Sequence, residues 1–257
     1  MSDLVSIITP SYNCGAYIAD TIKSVLAQTY PNWEMIIVDD CSTDDTAAVV
    51  AEYERKDQRI RFIRNERNSG AAVSRNRALR EARGRWVAFL DGDDLWEPFK
   101  LQHQIDFMTE HDCVFSYHQY DEIDENGKPR GAEVSGPRKV TKRGIYACNW
   151  LGCLTVMYDR TRIGLIQVAN IYKRNDYAMW LQVTRKADCY LMPEVAGHYR
   201  RRSDSISHIS HLSLLKWQYQ LFSVADRNNP LVSVFFVVLN LIFTSLKKMF
   251  YVKRSSK

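Results

Sequence analysis

Trp86-Val87-Ala88-Phe89-Leu90-Asp91-Gly92-Asp93-Asp94 runs from five apolar residues straight into three carboxylates around one glycine. A continuous apolar run of this length suits a strand covered on both faces. Acids at its carboxyl end stand where open parallel sheets bind their ligands. The pattern recurs upstream. Val5-Ser6-Ile7-Ile8-Thr9 is a β-prone run that meets Pro10-Ser11-Tyr12-Asn13, and Met35-Ile36-Ile37-Val38 stops at Asp39-Asp40. Between the strands, Ile18, Ile22, Val25 and Leu26 fall at helical spacing within Tyr17 to Gln28. Ser42-Thr43-Asp44-Asp45 offers N-cap chemistry for a helix through Tyr53. Ile60 to Ile63 and Gly70 to Ala82 continue the alternation as strand and helix. The expected fold class is therefore α/β: a Rossmann-like, mainly parallel sheet flanked by helices, with C-terminal helices. Three polar clusters should converge on one sheet edge.

The second half is less regular. Strands are expected at Val114 to Tyr120, Leu154 to Tyr158, Cys189 to Met192 and Gly197 to Arg201, a hairpin turn at Glu125-Asn126-Gly127-Lys128, and a helix from Asp176 to Ala187. Composition excludes several classes. With 257 residues, 46% apolar, 25% charged and a net charge of +5, the chain can bury one large core and is neither disordered nor strongly basic. Arg200-Arg201-Arg202 is too short a basic run to read as a nucleic-acid face, so no nucleic-acid partner is expected. Six cysteines without a CxxC pair argue against a sulfur-bound zinc. Met1-Ser2-Asp3-Leu4 has neither a basic nor an apolar leader character, so a reducing, cytoplasmic setting is expected.

Carboxylates as crowded as Asp91, Asp93 and Asp94 repel one another unless a cation intervenes. Magnesium and manganese prefer oxygen ligands and complete their shells with substrate phosphates. No GxGxxG and no GxxxxGK[ST] occurs, so a diphosphate would have to be handled through metal and cationic side chains.

At this point the residues resemble family 2 glycosyltransferases of the GT-A fold. The resemblance is carried by Val5 to Asn13, Ser24 to Tyr30, Glu34 to Ser42, Asn68-Ser69-Gly70, Ser74-Arg75-Asn76 and Phe89 to Asp94. It implies a GT-A domain over 1–205, divided into a nucleotide-sugar half at 1–110 and an acceptor and catalytic half at 111–205, followed by a helical, membrane-associated tail at 206–257. It also implies inverting transfer from a nucleotide diphosphate sugar, UDP-sugar favoured, with Mn2+ or Mg2+. The acceptor would be a saccharide or lipid-linked saccharide of bacterial surface-polysaccharide synthesis. Pro10, Tyr12 and Asp39 should line the base and ribose pocket, with Arg75 and Asp91 helping to hold the nucleotide. Asp93, with Asp91, should ligate the metal. The Glu-Asp pair in which the family keeps its base reads Asn175-Asp176 here, so Asp176 is the expected catalytic base despite the loss of the first acid. Plainer roles stay open: packing for Tyr12, helix capping for Asp39, and a helix N-terminal charge for Asp176. Asp121, Glu122 and Asp124 are weaker candidates for the base. Leu191 to Ser207 resembles the tail of non-processive members, and the absence of QxxRW points to single additions. In that tail His198 is a candidate to approach the metal or diphosphate and Arg200 to Arg202 to contact phosphate, while a solvated or core role is the more common one for such side chains.

Two other functions share part of this pattern. A sugar-phosphate nucleotidyltransferase needs a glycine-rich, lysine-bearing loop after the first strand, for which Ser11-Tyr12-Asn13-Cys14-Gly15 is a poor substitute. A non-catalytic nucleotide-sugar-binding protein at the membrane would explain Asn175. Leu231 to Leu246 is sixteen residues without a charge, followed by Lys247, Lys248, Lys253, Arg254 and Lys257. Three readings are open: a buried helix, a helix in the membrane interface with its lysines at anionic headgroups, or a span lengthened by Met249 to Val252. The second places the protein at the inner face of the cell membrane.

Overall fold

The computed structural model describes residues 3–203 and 211–254. The domain boundary expected at 205, the last residues of the tail motif, Ser205 to Ser207, and Lys257 lie outside them. In chain order the first half gives β1 (Val5–Ser11), α1 (Ile18–Leu26), β2 (Trp33–Asp39), α2 (Thr46–Lys56), β3 (Ile60–Arg64), α3 (Ala71–Glu81) and β4 (Trp86–Phe89). These four strands pair in parallel in the order β3-β2-β1-β4. β1, β2 and β4 are wholly buried because helices cover both faces, whereas the edge strand β3 is buried only at Ile60. Val5 and Ile7 of β1 pack with α1 and α2, while Ile8 faces the opposite core with α3. Fully burying each such side chain contributes about 1.5–3 kcal/mol.

The second half comprises β5 (Leu95–Trp96), α4 (Lys100–Glu110), β6 (Phe115–Ile123), β7 (Pro129–Val134), β8 (Lys139–Val140), α5 (Lys142–Ala147), β9 (Met157–Asp159), α6 (Arg160–Ile163) and α7 (Asn175–Val183). It ends with β10 (Cys189–Arg200), α8 (His211–Gln220), α9 (Pro230–Phe250) and β11 (Val252–Arg254). Here the sheet becomes mixed. β9 lies antiparallel to both β4 and β6, and the β6–β7 hairpin turns at Gly127, whose φ of +78° a glycine adopts without strain. The two short strands expected at 189–192 and 197–201 are one twelve-residue strand, β10. It runs parallel to β6 with irregularities at Met192–Val195 and Val195–His198. Those shifts explain why the sequence reads as two pieces. Their effect is to carry Tyr199 and Arg200 alongside the Asp91–Asp94 loop.

α9 is capped by the Asn229 side chain, which accepts from Val232 N, with Pro230 in the first turn. One stripe of it, Ser233, Val237 and Asn240, is buried. Asn240 is therefore no interruption of the apolar run: its amide donates to the Tyr177 hydroxyl of α7 at 2.7 Å. The chain then returns to the sheet as β11, antiparallel to β7. All six cysteines are free.

Candidate active site

A cavity of about 710 Å³ opens beyond the carboxyl ends of β1 and β4. Its wall contains Pro10, Tyr12, Arg75, Asp91, Asp93 and Asp176, so one concavity gathers six of the seven residues singled out in the sequence. Tyr12 is about half exposed there (47%), a ring presented to the cavity rather than packed into the core.

Asp39 is the exception. It is fully buried and does not line the cavity. Its carboxylate accepts from Ser42 N at 3.1 Å, takes the Ser42 hydroxyl, and lies 3.4 Å from Arg64 Nε. Ser42 Oγ in turn accepts from Asn13 N, and Asn13 Oδ1 accepts from Thr43 N. In this structure Asp39 thus ties the loop after β1 to the loop after β2 from beneath. Asp40 does line the cavity, but its oxygens accept from Ser69 N, Gly70 N and Asn65 Nδ2 at 2.7–2.9 Å. It anchors the start of α3, where Gly70 takes a φ of +87°. The helix after Asp45 is served the same way, because Asp44, not Ser42, accepts from Thr46 N.

The Asp91-Gly92-Asp93-Asp94 loop divides its acids. Asp94 is buried, and its Oδ1 accepts from Arg200 N at 2.9 Å. Burial and the neighbouring Asp93 and Asp91 push its carboxyl well above the usual range. Arg200 is also buried. Its Nε donates to Asp93 O and its guanidinium to Glu125 O, so it clamps the loop onto the hairpin instead of meeting a phosphate. Arg201 pairs with Glu122, and His198 is held between Asp121 at 2.6 Å and Glu97 at 3.0 Å, outside the cavity. Of that basic run only Arg202 reaches the wall, with Nη1 3.1 Å from Asp93 Oδ2. Asp121, Glu122 and Asp124 are likewise absent from the wall. Gly92 is required for close approach: a Cβ would stand 2.9 Å from Cys14 Sγ.

Asp91 and Asp93 keep 31% and 26% of their side chains exposed, each with one oxygen held by an arginine. Burial and Asp91 raise the Asp93 carboxyl above its ordinary value. Among the described residues no three His, Cys, Asp or Glu side chains come together as a complete metal cage. Two hard oxygen donors at the rim of a cavity suit an ion of the magnesium type that takes its remaining ligands from a bound phosphate.

Arg75 joins the two halves. Its side chain is nearly buried, with Nη2 2.5 Å from Asp91 Oδ1 and Nη1 2.5 Å from Asn175 Oδ1. The guanidinium expected on the nucleotide is thus committed to a bridge between the acidic loop and the first residue of α7. The Asp91 carboxylate raises its pKa further although burial opposes it. Asp176 follows Asn175, half-buried in the wall, and its carboxylate has no hydrogen-bond partner among the described residues. Tyr120, Asn149, Cys153, Lys173, Arg174 and Tyr199 also line the cavity. None carries a sequence signal, because they arrive from several separate segments of the second half.

The family model described as "Glycosyl transferase family 2" matches residues 6–154, more than half of the chain. The chain belongs to this family. It is a glycosyltransferase of the GT-A fold. TuaG of Bacillus subtilis, named for teichuronic acid biosynthesis, is 48% identical over 79% of this chain and 81% of its own. The Escherichia coli protein WfgD, named a UDP-Glc:α-D-GlcNAc-diphosphoundecaprenol β-1,3-glucosyltransferase, is 38% identical over 95% of this chain and 94% of its own. Among solved structures, S. aureus TarS 1–349 in complex with UDP-GlcNAc superposes with a TM-score of 0.71 over 97% of this chain and 74% of that one, at 21% identity. That likeness is one of fold. Family membership sets aside the nucleotidyltransferase and the non-catalytic binding protein.

Proposed function

We propose that this glycosyltransferase moves a sugar from a UDP-sugar to a lipid-linked saccharide of a surface polysaccharide, with inversion at the anomeric carbon. The observation that carries this reading is the single cavity in which Asp91 and Asp93 of the first half meet Asp176 of the second. Residues 1–110 supply the donor side and 111–205 the acceptor side. Pro10 and Tyr12 form the donor wall, with Asp39 holding the loop beneath them. Asp93 and Asp91 would hold Mn2+ or Mg2+, which when bound offsets charge developing on the leaving diphosphate. Arg202 adds a cation at the same end.

The acceptor hydroxyl attacks the anomeric carbon as the bond to the nucleotide diphosphate breaks, and Asp176 takes the hydroxyl proton. An unshared carboxylate is the right state for a base. Asn175 contributes by fixing Arg75, which also keeps Arg75 from pairing with Asp176. The names of WfgD and TuaG support the donor and acceptor classes.

The tail favours contact with a membrane. α9 is long and apolar enough to cross one by length and composition. Its buried stripe lies on the protein, however, and β11 returns to the sheet, so we place it in the interface plane. Leu231, Phe235, Ile242 and Met249 are exposed on the remaining surface, and Lys248, Lys253 and Arg254 are exposed near its end. Such a helix binds anionic lipid by apolar burial and charge together. The protein would then work at the cytoplasmic face of the cell membrane. Turnover of UDP-, GDP- and dTDP-sugars with manganese, with NMR of the product anomer, tests the reading. A UDP-sugar should turn over with inversion, and a retained configuration or exclusive use of another nucleotide would overturn it.

A further inference from the structure

The inner stripe of α9 is more polar than an interface helix needs. Ser233, Val237, Asn240, Thr244 and Lys247 recur at steps of four and three residues and so share one face. Asn240 is buried, and its amide donates to the Tyr177 hydroxyl, which itself donates to Ile145 O at 2.6 Å. Thr244 Oγ1 lies 3.8 Å from Cys148 Sγ. Lys247, one of the lysines that the sequence offers to lipid headgroups, turns inward instead. Its ammonium donates to Asn149 O at 2.9 Å and to Trp150 O at 3.0 Å. Burial pulls its pKa below the ordinary value, as expected of a lysine held against protein. Tyr251, just past α9, meets the Trp150 ring edge-on at 5.4 Å. These partners adjoin the cavity. Tyr177 is fully buried and follows Asp176 in the first turn of α7, while Asn149 is part of the cavity wall. Asp176 is thus pinned through both chain neighbours, Asn175 by Arg75 and Tyr177 by Asn240. An apolar stripe would seat a lipid anchor as well, whereas directional hydrogen bonds also fix where their partners stand.

We propose that Asn240 and Lys247 are positioning residues for sugar transfer. Through Tyr177, and through the carbonyls of Asn149 and Trp150, α9 holds the first turn of α7 and the Asn149 wall in the geometry that catalysis uses. The inference rests on the reading of Asp176 as the base and deepens it: the helix proposed to meet the membrane is also the one that sets the base. A misplacement of about 1 Å can cost an active site about a hundredfold in rate. Loss of either hold alone should cost about tenfold, since Arg75 keeps Asn175 in place.

Three measurements on the full-length protein test this. Amide hydrogen exchange needs no substrate: Asn240→Leu should speed it about tenfold over 175–183, and Lys247→Met over 145–152. Lys247→Arg, which can still donate to both carbonyls, should restore the wild-type rate. UDP with manganese, titrated by calorimetry, should bind every variant as it binds the wild type, because the proposed donor end is built from the loops after β1 and β4. In the product assay kcat should fall about tenfold in Asn240→Leu and Lys247→Met at unchanged donor KM, with Lys247→Arg within about twofold of the wild type. Val238→Ser, on the exposed side of α9, should match the wild type throughout. Lys247→Met carries the test if Asn240→Leu does not fold. Unchanged exchange, weakened UDP binding, an unchanged kcat where exchange has risen, or an equal fall in Val238→Ser would overturn the positioning role. Retained turnover in Asp176→Asn would remove the base instead, while exchange and UDP affinity still judge the hold of α9.

Discussion

The regions of the cavity proposed to face donor and acceptor are built in different ways. On the proposed donor side, the loops after β1, β2 and β4 follow parallel strands; the acids after β2 are satisfied largely by nearby backbone, and those after β4 are held by Arg75, Arg200 and Arg202. Asp39 holds Ser42, Asp40 holds Ser69 and Gly70, and Asp44 holds Thr46. On the proposed acceptor side, Asp176 of α7, Asn149 of the segment after α5 and Tyr199 of β10 are brought together by mixed pairing and helix packing. The acceptor end depends on contacts between distant parts, chief among them Arg75 to Asn175 and Asn240 to Tyr177. Acids that look catalytic by their crowding can be consumed by their own loops, as Asp39, Asp40 and Asp44 are.

The sharpest way to break this contrast is to disable each end in turn. Asp176→Asn should lower kcat by about 10³-fold, within the range of a lost general base, with donor affinity unchanged in equilibrium titration. A variant of near-normal turnover would remove Asp176 as the base. Asp93→Ala should lower kcat/KM by about 10²-fold and weaken donor binding in manganese, measured by the same titration. If both variants show the same pattern, the two ends are not functionally separate. Arg75→Lys tests the bridge. Lysine cannot reach Asp91 and Asn175 in a planar fork, so kcat should fall about tenfold while the fold persists.

The smallest effect concerns His198. Its hydrogen bond to Asp121, with Glu97 adding charge, raises its pKa above the ordinary value of about 6.5. A raised folded-state value means the stabilisation is complete below about pH 6.5 and is lost as pH rises through the folded value. Thermal melts should show the wild type losing about 2 °C more than His198→Gln between pH 6 and pH 9. Parallel curves would show that the triad does not titrate as described.

Much of the donor side was legible because its signals are local. Apolar runs that end in acids mark strands and their carboxyl ends, and the order of these runs implies a parallel sheet. Legibility failed where a side chain's use depends on what lies above it. Asp39 reads as part of the cavity wall until its burial beside Ser42 is seen, and Arg200 reads as a phosphate-facing cation until it is found clamping Asp93 O and Glu125 O. β10 reads as two strands because its irregular register breaks the alternation.

The amino-acid sequence alone determined the α/β alternation, the position of the acidic loop and the apolar character of residues 231–246. Each is a property of neighbours within a few residues, where propensity and periodicity act. Only the tertiary structure decided which acids remain exposed, that Arg75 bridges Asp91 to Asn175, and that Tyr172 meets Trp217. Those are contacts across as many as a hundred residues, set by how the mixed half of the sheet packs against the parallel half.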